Sequence, residues 1–151
     1  DPVTNGHLDI FERSVKLFDE IIIAVFNNPQ KNPLFTMEER VDMLMVATNH
    51  LPNVRVDCFS GLLNDYVKAQ GSRVIIRGLR ALTDFEYEFQ RALMIEKLDA
   101  EIETVFMMTS SEFSFVSSSG IKELAYFGGC VKGLVPAFVE EKLRQKIAKK
   151  G

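Results

Sequence analysis

The chain has few of the residues on which metal sites and disulfide scaffolds depend. Its 151 residues include two cysteines, Cys58 and Cys130, and two histidines, His7 and His50. These residues have no metal-ligand spacing, so the sequence does not indicate a zinc site. So little cysteine excludes a disulfide-stabilised scaffold and favours a reducing, cytoplasmic setting.

Long hydrophobic runs and a strong charge imbalance are also missing. The longest apolar run is Ile21–Phe26, which is far too short to cross a membrane. The formal net charge is −3, from 18 Lys and Arg against 21 Asp and Glu, whereas a nucleic-acid-binding domain is usually basic. We therefore expect neither a membrane nor a nucleic acid as partner.

The remaining composition is typical of one globular domain. Hydrophobic residues make up 46% of the chain and charged residues 26%, both ordinary values. A chain of this size buries roughly 70% of the surface that its unfolded form exposes. We predict a single domain over residues 1–151.

Helical and strand patterns alternate along the chain and predict an α/β fold. Nearly continuous apolar strands indicate a parallel sheet with helices on both faces. We predict a Rossmann-like, doubly wound sheet of about five strands, the first of them expected upstream of Asp1. The visible strand patterns are Ile21–Phe26, Val54–Phe59, Val74–Ile76 and Thr104–Met108. Cys58 falls on the apolar side of its strand and is predicted to be buried.

Capping signals predict where several helices begin. Thr36-x-x-Glu39 has the spacing of a capping box and predicts a helix to about His50. Thr83-x-x-Glu86 has the same spacing and predicts a helix to about Leu98. Three serines, Ser117 to Ser119, precede a further helix, and they suit its N-cap.

Residues suited to phosphate binding follow the predicted strands. Lys31 follows the first visible strand, Arg77 to Arg80 the third, and the hydroxyl-rich segment 109–119 the fourth. Thr4-Asn5-Gly6-His7 stands before the first helix. Ligands of open parallel sheets bind at the carboxyl ends of the strands, and helix N-termini add N–H donors there. This combination suits a ligand with several phosphates, although G-x-x-x-x-G-K-[ST] and G-x-G-x-x-G are absent.

Six segments together resemble the nucleotidylyltransferase superfamily and, within it, the phosphopantetheine adenylyltransferase family. The resemblance covers essentially the whole chain, and the run from Arg77 to Glu88 is its most specific part. The segments are Asp1–His7, Lys31 in its Pro-flanked loop, Phe35–Arg40, Arg77–Arg80, Asp84–Glu88 and Phe115–Ser119.

The resemblance implies an enzyme of coenzyme A biosynthesis. The reaction would join the AMP moiety of ATP to 4′-phosphopantetheine, giving dephospho-coenzyme A and pyrophosphate by direct in-line transfer without a covalent intermediate. Magnesium would accompany ATP. Family members are typically homohexamers, and coenzyme A is an expected feedback inhibitor.

The resemblance also implies roles for individual residues. His7 would be catalytic and would contact ATP. The other ATP-binding residues would be Gly78, Leu79, Arg80, Glu88, Phe113, Ser114, Phe115, Val116, Ser117, Ser118 and Ser119. The phosphopantetheine-binding residues would be Lys31, Leu63 and Arg77. No metal ligand from the protein is predicted.

Simpler interpretations of these residues remain open. Asp84 and Glu88 could form a solvated helix face, and Phe113 and Phe115 could belong to the core. Ile95 departs from the resemblance, because the family usually has Asn there facing the pantetheine arm. Ile95 therefore keeps open a relative with another phosphorylated acceptor. A non-catalytic nucleotide-binding regulator is a further alternative, from another class of function. Gly120 is a second departure and could loosen the helix start that it occupies.

Overall fold

The computed structural model describes residues 1–27 and 32–148 as alternating helices and strands. A single 3-10 turn, Ser111–Phe113, precedes the fifth helix. The helices are α1 (Asn5–Ser14), α2 (Met37–Ala47), α3 (Leu63–Ala69), α4 (Leu82–Leu98), α5 (Ser118–Tyr126) and α6 (Ala137–Ala148). The strands are β1 (Ile21–Phe26), β2 (Val54–Phe59), β3 (Val74–Leu79) and β4 (Glu103–Met108). The predicted α/β class is confirmed.

The strands pair in parallel, but as two separate two-stranded sheets. β1 pairs with β2, with Ile21 opposite Val54, and β3 pairs with β4, with Val74 opposite Glu103. Among the described residues neither β1 nor β3 has a further strand partner. Both strands line one cavity. The parallel pairing and the flanking helices agree with the predicted Rossmann-like fold, and the fifth strand stays a prediction.

The third strand is longer than its apolar pattern indicates. β3 continues beyond Ile76 because Arg77, Gly78 and Leu79 keep the parallel pairing with β4. A Cβ at Gly78 would lie 3.2 Å from Cγ1 of Ile10, so glycine at this position lets α1 pack closely on β3. This packing brings the N-terminal turn of α1 and the end of β3 into one region of the molecule.

The two predicted capping boxes have different outcomes. In α2, Thr36 N–H donates to Glu39 Oε2 at 2.8 Å and Glu39 N–H donates to Thr36 Oγ1 at 3.2 Å, so this box is confirmed, although the helix ends at Ala47. In α4 the N-cap is Ala81, which makes no side-chain cap bond, and the box predicted from Thr83 is wrong.

The main core lies among α2, α5, α6 and the start of the chain. Met43, Val139 and Leu143 are completely buried there, and Phe35 is 2% exposed. Cys58 is exposed, so the prediction that it is buried is wrong. In the described part of the chain, no helix combines the length and the apolar character needed to cross a membrane.

Candidate active site

One cavity gathers charged and hydroxyl-bearing side chains from several elements. The N-terminal turn of α1, the end of β3, the first turns of α4 and the start of α5 all contribute to it. Its polar lining includes His7, Arg77, Arg80, Asp84, Glu88 and Ser117 to Ser119. The cavity therefore unites residues that are far apart in the sequence.

His7 is held at the start of α1 by the N-cap residue, Thr4. The backbone N–H of Thr4 donates to Nδ1 of His7 at 3.1 Å, and Oγ1 of Thr4 lies 2.8 Å from the same nitrogen. The backbone N–H of His7 reaches back to Oγ1 of Thr4 at 3.4 Å. This is a capping box in which histidine takes the place usually filled by Glu or Gln.

The environment of His7 keeps its imidazole neutral. The residue is exposed to the cavity, yet protein atoms surround its ring. The resulting desolvation, with a smaller effect of the positive charge of Arg80, lowers the pKa of His7 to about 4. The bond from Thr4 N–H requires the same state, because an N–H donor needs an unprotonated Nδ1.

Arg77 at the end of β3 forms a two-point ion pair with Glu88 of α4. Its Nε donates to Glu88 Oε2, and its Nη2 donates to Glu88 Oε1 at 2.9 Å. The side chain of Glu88 is 15% exposed and that of Arg77 33%. Nη1 of Arg77 makes no hydrogen bond with any described residue, so this part of the guanidinium is available to a ligand.

Arg80 forms a second pair of the same kind with Asp84, which lies one turn before Glu88 on α4. Its Nε donates to Asp84 Oδ2 at 2.8 Å, its Nη2 donates to Asp84 Oδ1 at 3.0 Å, and its backbone N–H also donates to Oδ2. The bonds from Arg80 hold the pKa of Asp84 below its ordinary value. The spacing of Asp84 and Glu88 thus provides one carboxylate for each arginine.

The serines at the start of α5 have structural partners as well as a place in the cavity. Ser117 is the N-cap, and its Oγ accepts from Gly120 N–H at 3.0 Å. Ser118 Oγ donates to the carbonyl of Pro2 at 2.8 Å. A Cβ at Gly120 would lie 3.0 Å from Ser117 Oγ. The cap bond therefore forms with glycine at this position.

The other residues implied by the resemblance divide into two groups. Leu63, Gly78, Phe113 and Val116 line the cavity. Three residues do not line it: Leu79, which is 4% exposed in the core, Ser114, and Phe115, which is 71% exposed. Lys31 lies outside the described residues. All these assignments stay predictions.

Thr4 and Asn64 are among the polar residues of the cavity that the sequence analysis did not single out. Thr4 was noted only as part of the T-x-G-H motif, although its spacing from His7 is that of a capping box. Asn64, which is 4% exposed, donates from Nδ2 to the carbonyl of Ile95 at 3.0 Å. No sequence signal identifies this bond, because it joins two helices that pack together only in the folded chain.

Comparisons with known proteins bear on the family of the chain. A family model described as cytidylyltransferase-like matches residues 1–124. A relative from Carboxydothermus hydrogenoformans, named phosphopantetheine adenylyltransferase, is 56% identical over 151 residues, which are 100% of this chain and 93% of the relative. The chain belongs to the phosphopantetheine adenylyltransferase family.

Further relatives support the same placement. Two proteins that carry the same name, from Dictyoglomus turgidum and Desulforudis audaxviator, are 56% and 52% identical to this chain. The matches cover 97% and 100% of this chain and 91% and 93% of those relatives. Membership in the phosphopantetheine adenylyltransferase family confirms what the sequence motifs indicated, and it agrees with the parallel α/β fold.

Proposed function

We propose that the chain transfers the AMP moiety of ATP to 4′-phosphopantetheine and releases dephospho-coenzyme A and pyrophosphate. The single observation that carries this proposal is the convergence of His7, Arg77 and Arg80 on one cavity. A neutral N–H donor and two guanidinium groups suit two phosphorylated reactants that must meet. The family membership of the chain supplies the identity of these reactants.

The reaction needs no nucleophilic side chain. An oxygen of the acceptor phosphate attacks the α-phosphorus of ATP and forms a new P–O bond, while the bond from that phosphorus to the bridging oxygen breaks and pyrophosphate leaves. The nucleophile is already an anion, so the reaction requires no proton relay. Catalysis then consists of positioning the reactants and stabilising the charge that develops on the phosphoryl oxygens.

His7 suits the role of charge stabiliser. With Nδ1 engaged by Thr4, its Nε2–H is the donor left for a phosphate oxygen. A preorganised donor in a protein cavity does not need to reorient as negative charge develops, which makes it more effective than water. We assign His7 to the phosphates of ATP.

The two arginines suit the binding of two different phosphate groups. Arg77 keeps Nη1 free beside its pair with Glu88, and we assign it to the phosphate of phosphopantetheine, with Lys31 as a second cation. Arg80 lies near His7 and also donates from Nη1 to the carbonyl of Val116 at 3.4 Å. We assign Arg80 to ATP, together with Gly78 and the N-terminus of α5.

Magnesium would enter with ATP and would neutralise part of the triphosphate charge when bound. Among residues 1–27 and 32–148, no group of three His, Cys, Asp or Glu side chains is arranged to hold a metal ion. The described side chains therefore do not form a metal cage, and nothing in the steps above depends on a protein-bound metal. Mg²⁺ bound mainly by substrate phosphates and water fits this arrangement.

An assembly of several copies is also part of the proposal. α4 carries large apolar side chains that are exposed in the single chain and do not line the cavity, among them Phe85 at 39%, Phe89 at 43% and Leu93 at 47%. Exposed apolar side chains on one helix are typical of protein–protein interfaces. We propose a homohexamer, with the cytoplasm as its location and coenzyme A, the end product of the pathway, as a feedback inhibitor.

Pyrophosphate release tests the proposed reaction directly. The protein is mixed with ATP, Mg²⁺ and one acceptor at a time: 4′-phosphopantetheine, nicotinate mononucleotide, glycerol phosphate, or pantetheine, which lacks the attacking phosphate. Release with 4′-phosphopantetheine alone supports the proposal. Release with another phosphorylated acceptor supports the alternative acceptor that Ile95 leaves open. ATP binding without release for any acceptor supports the regulator.

A further inference from the structure

Thr4 makes more contacts with His7 than an ordinary helix cap requires. An N-cap threonine needs only to accept a backbone N–H from the first turn, and here Oγ1 has that partner in His7 N–H. In addition, both the backbone N–H and the Oγ1 of Thr4 lie within hydrogen-bond distance of Nδ1 of His7, at 3.1 and 2.8 Å. Thr4 is 1% exposed, so water does not compete for these contacts.

These contacts determine which ring nitrogen carries the proton. A backbone N–H can only donate, so Nδ1 must accept and cannot itself be protonated. The hydroxyl of Thr4 accepts from His7 N–H through its oxygen, which leaves its own proton free to point toward Nδ1. The single proton of the neutral imidazole is therefore on Nε2, the ring nitrogen that accepts no hydrogen bond from Thr4.

We propose that Thr4 is a positioning residue that holds His7 in the tautomer with its proton on Nε2, so that the cavity presents an N–H donor rather than a lone pair to a phosphate oxygen. The tautomer follows from the contacts of Thr4 alone. Its value for catalysis rests on the proposed function. A lone pair facing a phosphate oxygen would repel the charge that the reaction develops, so the wrong tautomer would be inactive.

Nitrogen-15 spectra of imidazole-labelled protein test the tautomer without any substrate. The variants are Thr4→Ser, which keeps the hydroxyl, and Thr4→Val, which removes it at nearly constant shape. Thr36→Val is the matched control, because Thr36 caps α2 in the same way but does not line the cavity. We expect the wild type, Thr4→Ser and Thr36→Val to show a protonated Nε2 and an unprotonated Nδ1 at His7.

Thr4→Val should weaken the preference for this tautomer by about fivefold, which is the usual net effect of losing one hydrogen bond. The turnover number, kcat, should fall in proportion to the fraction of His7 that keeps its proton on Nε2, by at most about fivefold, with little change in the Michaelis constant (KM) for ATP. Thr4→Ser keeps the hydroxyl, so its tautomer preference and its kcat should stay close to those of the wild type. Thr36→Val should lower thermal stability and leave both values unchanged.

Two results would overturn the proposal. One is a wild-type spectrum with the proton of His7 on Nδ1. The other is a Thr4→Val variant with the wild-type tautomer and kcat but with reduced stability, which would mean that Thr4 is a helix cap only. If the chain fails to transfer AMP to 4′-phosphopantetheine, the spectra still decide the tautomer, so the failure of one proposal can be told from the failure of the other.

Discussion

The hydrogen-bond donors on the two sides of the cavity differ in charge and in how they are held. On the α1 side, His7 is neutral and is held through Nδ1 by contacts from its own helix turn. On the side of β3 and α4, Arg77 and Arg80 are charged, and each is fixed by a carboxylate of α4. One side thus presents a donor without net charge, whereas the other presents cations whose charge is partly balanced before any ligand arrives.

This difference suits two separate tasks. Full positive charges attract phosphorylated reactants over a distance, and carboxylate partners fix the geometry of long side chains. A neutral donor contributes little to the encounter but stabilises a nearby oxygen as negative charge develops on it. We therefore expect changes at the arginines to affect binding constants, and changes at His7 to affect the rate of the chemical step.

The largest expected effect is that of His7→Ala. Loss of one preorganised donor to a reacting phosphate lowers kcat by about 10²- to 10³-fold, while the KM values of both substrates should change little. Steady-state kinetics of pyrophosphate release measure this. The matched control is His50→Ala, because His50 is exposed and pairs with Glu12 away from the cavity. Wild-type turnover of His7→Ala would contradict the assignment.

Arg77→Ala and Arg80→Ala should separate the two binding tasks. A charge-assisted hydrogen bond contributes about 1.5–3 kcal/mol, so we expect the KM for 4′-phosphopantetheine to rise by roughly 10- to 100-fold in Arg77→Ala. Arg80→Ala should raise the KM for ATP instead. The reverse pattern would exchange the two assignments. Arg77→Lys should recover only part of the loss, because lysine lacks the planar fork that matches Glu88.

Glu88→Gln tests whether the carboxylates of α4 position the arginines. The amide accepts only one of the two bonds from Arg77, so the guanidinium loses its fixed orientation. We expect the KM for 4′-phosphopantetheine to rise by about 3- to 10-fold, which is the effect of one net hydrogen bond. Glu86→Gln is the control, because Glu86 is exposed on the same helix and does not line the cavity. A selective rise in the KM for ATP would instead favour the ATP contact implied by the resemblance.

The sequence patterns predicted the bounds of some strands more accurately than others, for physical reasons. β1 and β2 have the predicted bounds, because apolar runs between polar turns depend only on local pattern. The end of β3 was predicted too early, because an arginine and a glycine suggest a loop. Pairing with β4 and the close packing of Ile10 on Gly78 keep this segment extended. Neither contact can be predicted from the local sequence pattern, because both join segments that are far apart in the sequence.

In the candidate site too, local sequence predicts the spacing of residues but not the contacts that form only on folding. The spacing of Asp84 and Glu88 on one helix face follows from the sequence, but their arginine partners follow only from how α4 leaves β3. His7 was recognised from its motif and the family resemblance, whereas its neutral state depends on crowding within the folded cavity. The contact of Thr4 with Nδ1 is the exception, because its spacing alone could have indicated it.

The smallest expected effect is that of Asp84→Asn on stability. The pair with Arg80 is partly exposed, with 25% of the Asp84 side chain accessible, so its removal should lower the free energy of unfolding by only about 0.5–1 kcal/mol near pH 7. Urea denaturation of the wild type and the variant measures this difference. Asp42→Asn, on α2 and outside the cavity, controls for the change of net charge.

The pH dependence of that difference identifies its origin. Because the folded-state pKa of Asp84 lies below its ordinary value of 3.8, the stabilisation is fully present above the ordinary value and is lost as the pH falls through the lowered value. The wild type and Asp84→Asn should therefore differ by a constant amount from pH 5 to 7 and converge in more acidic solution. A difference that persists unchanged at strongly acidic pH would mean that Asp84 acts through packing, and that the charge of Arg80 is not balanced by this carboxylate.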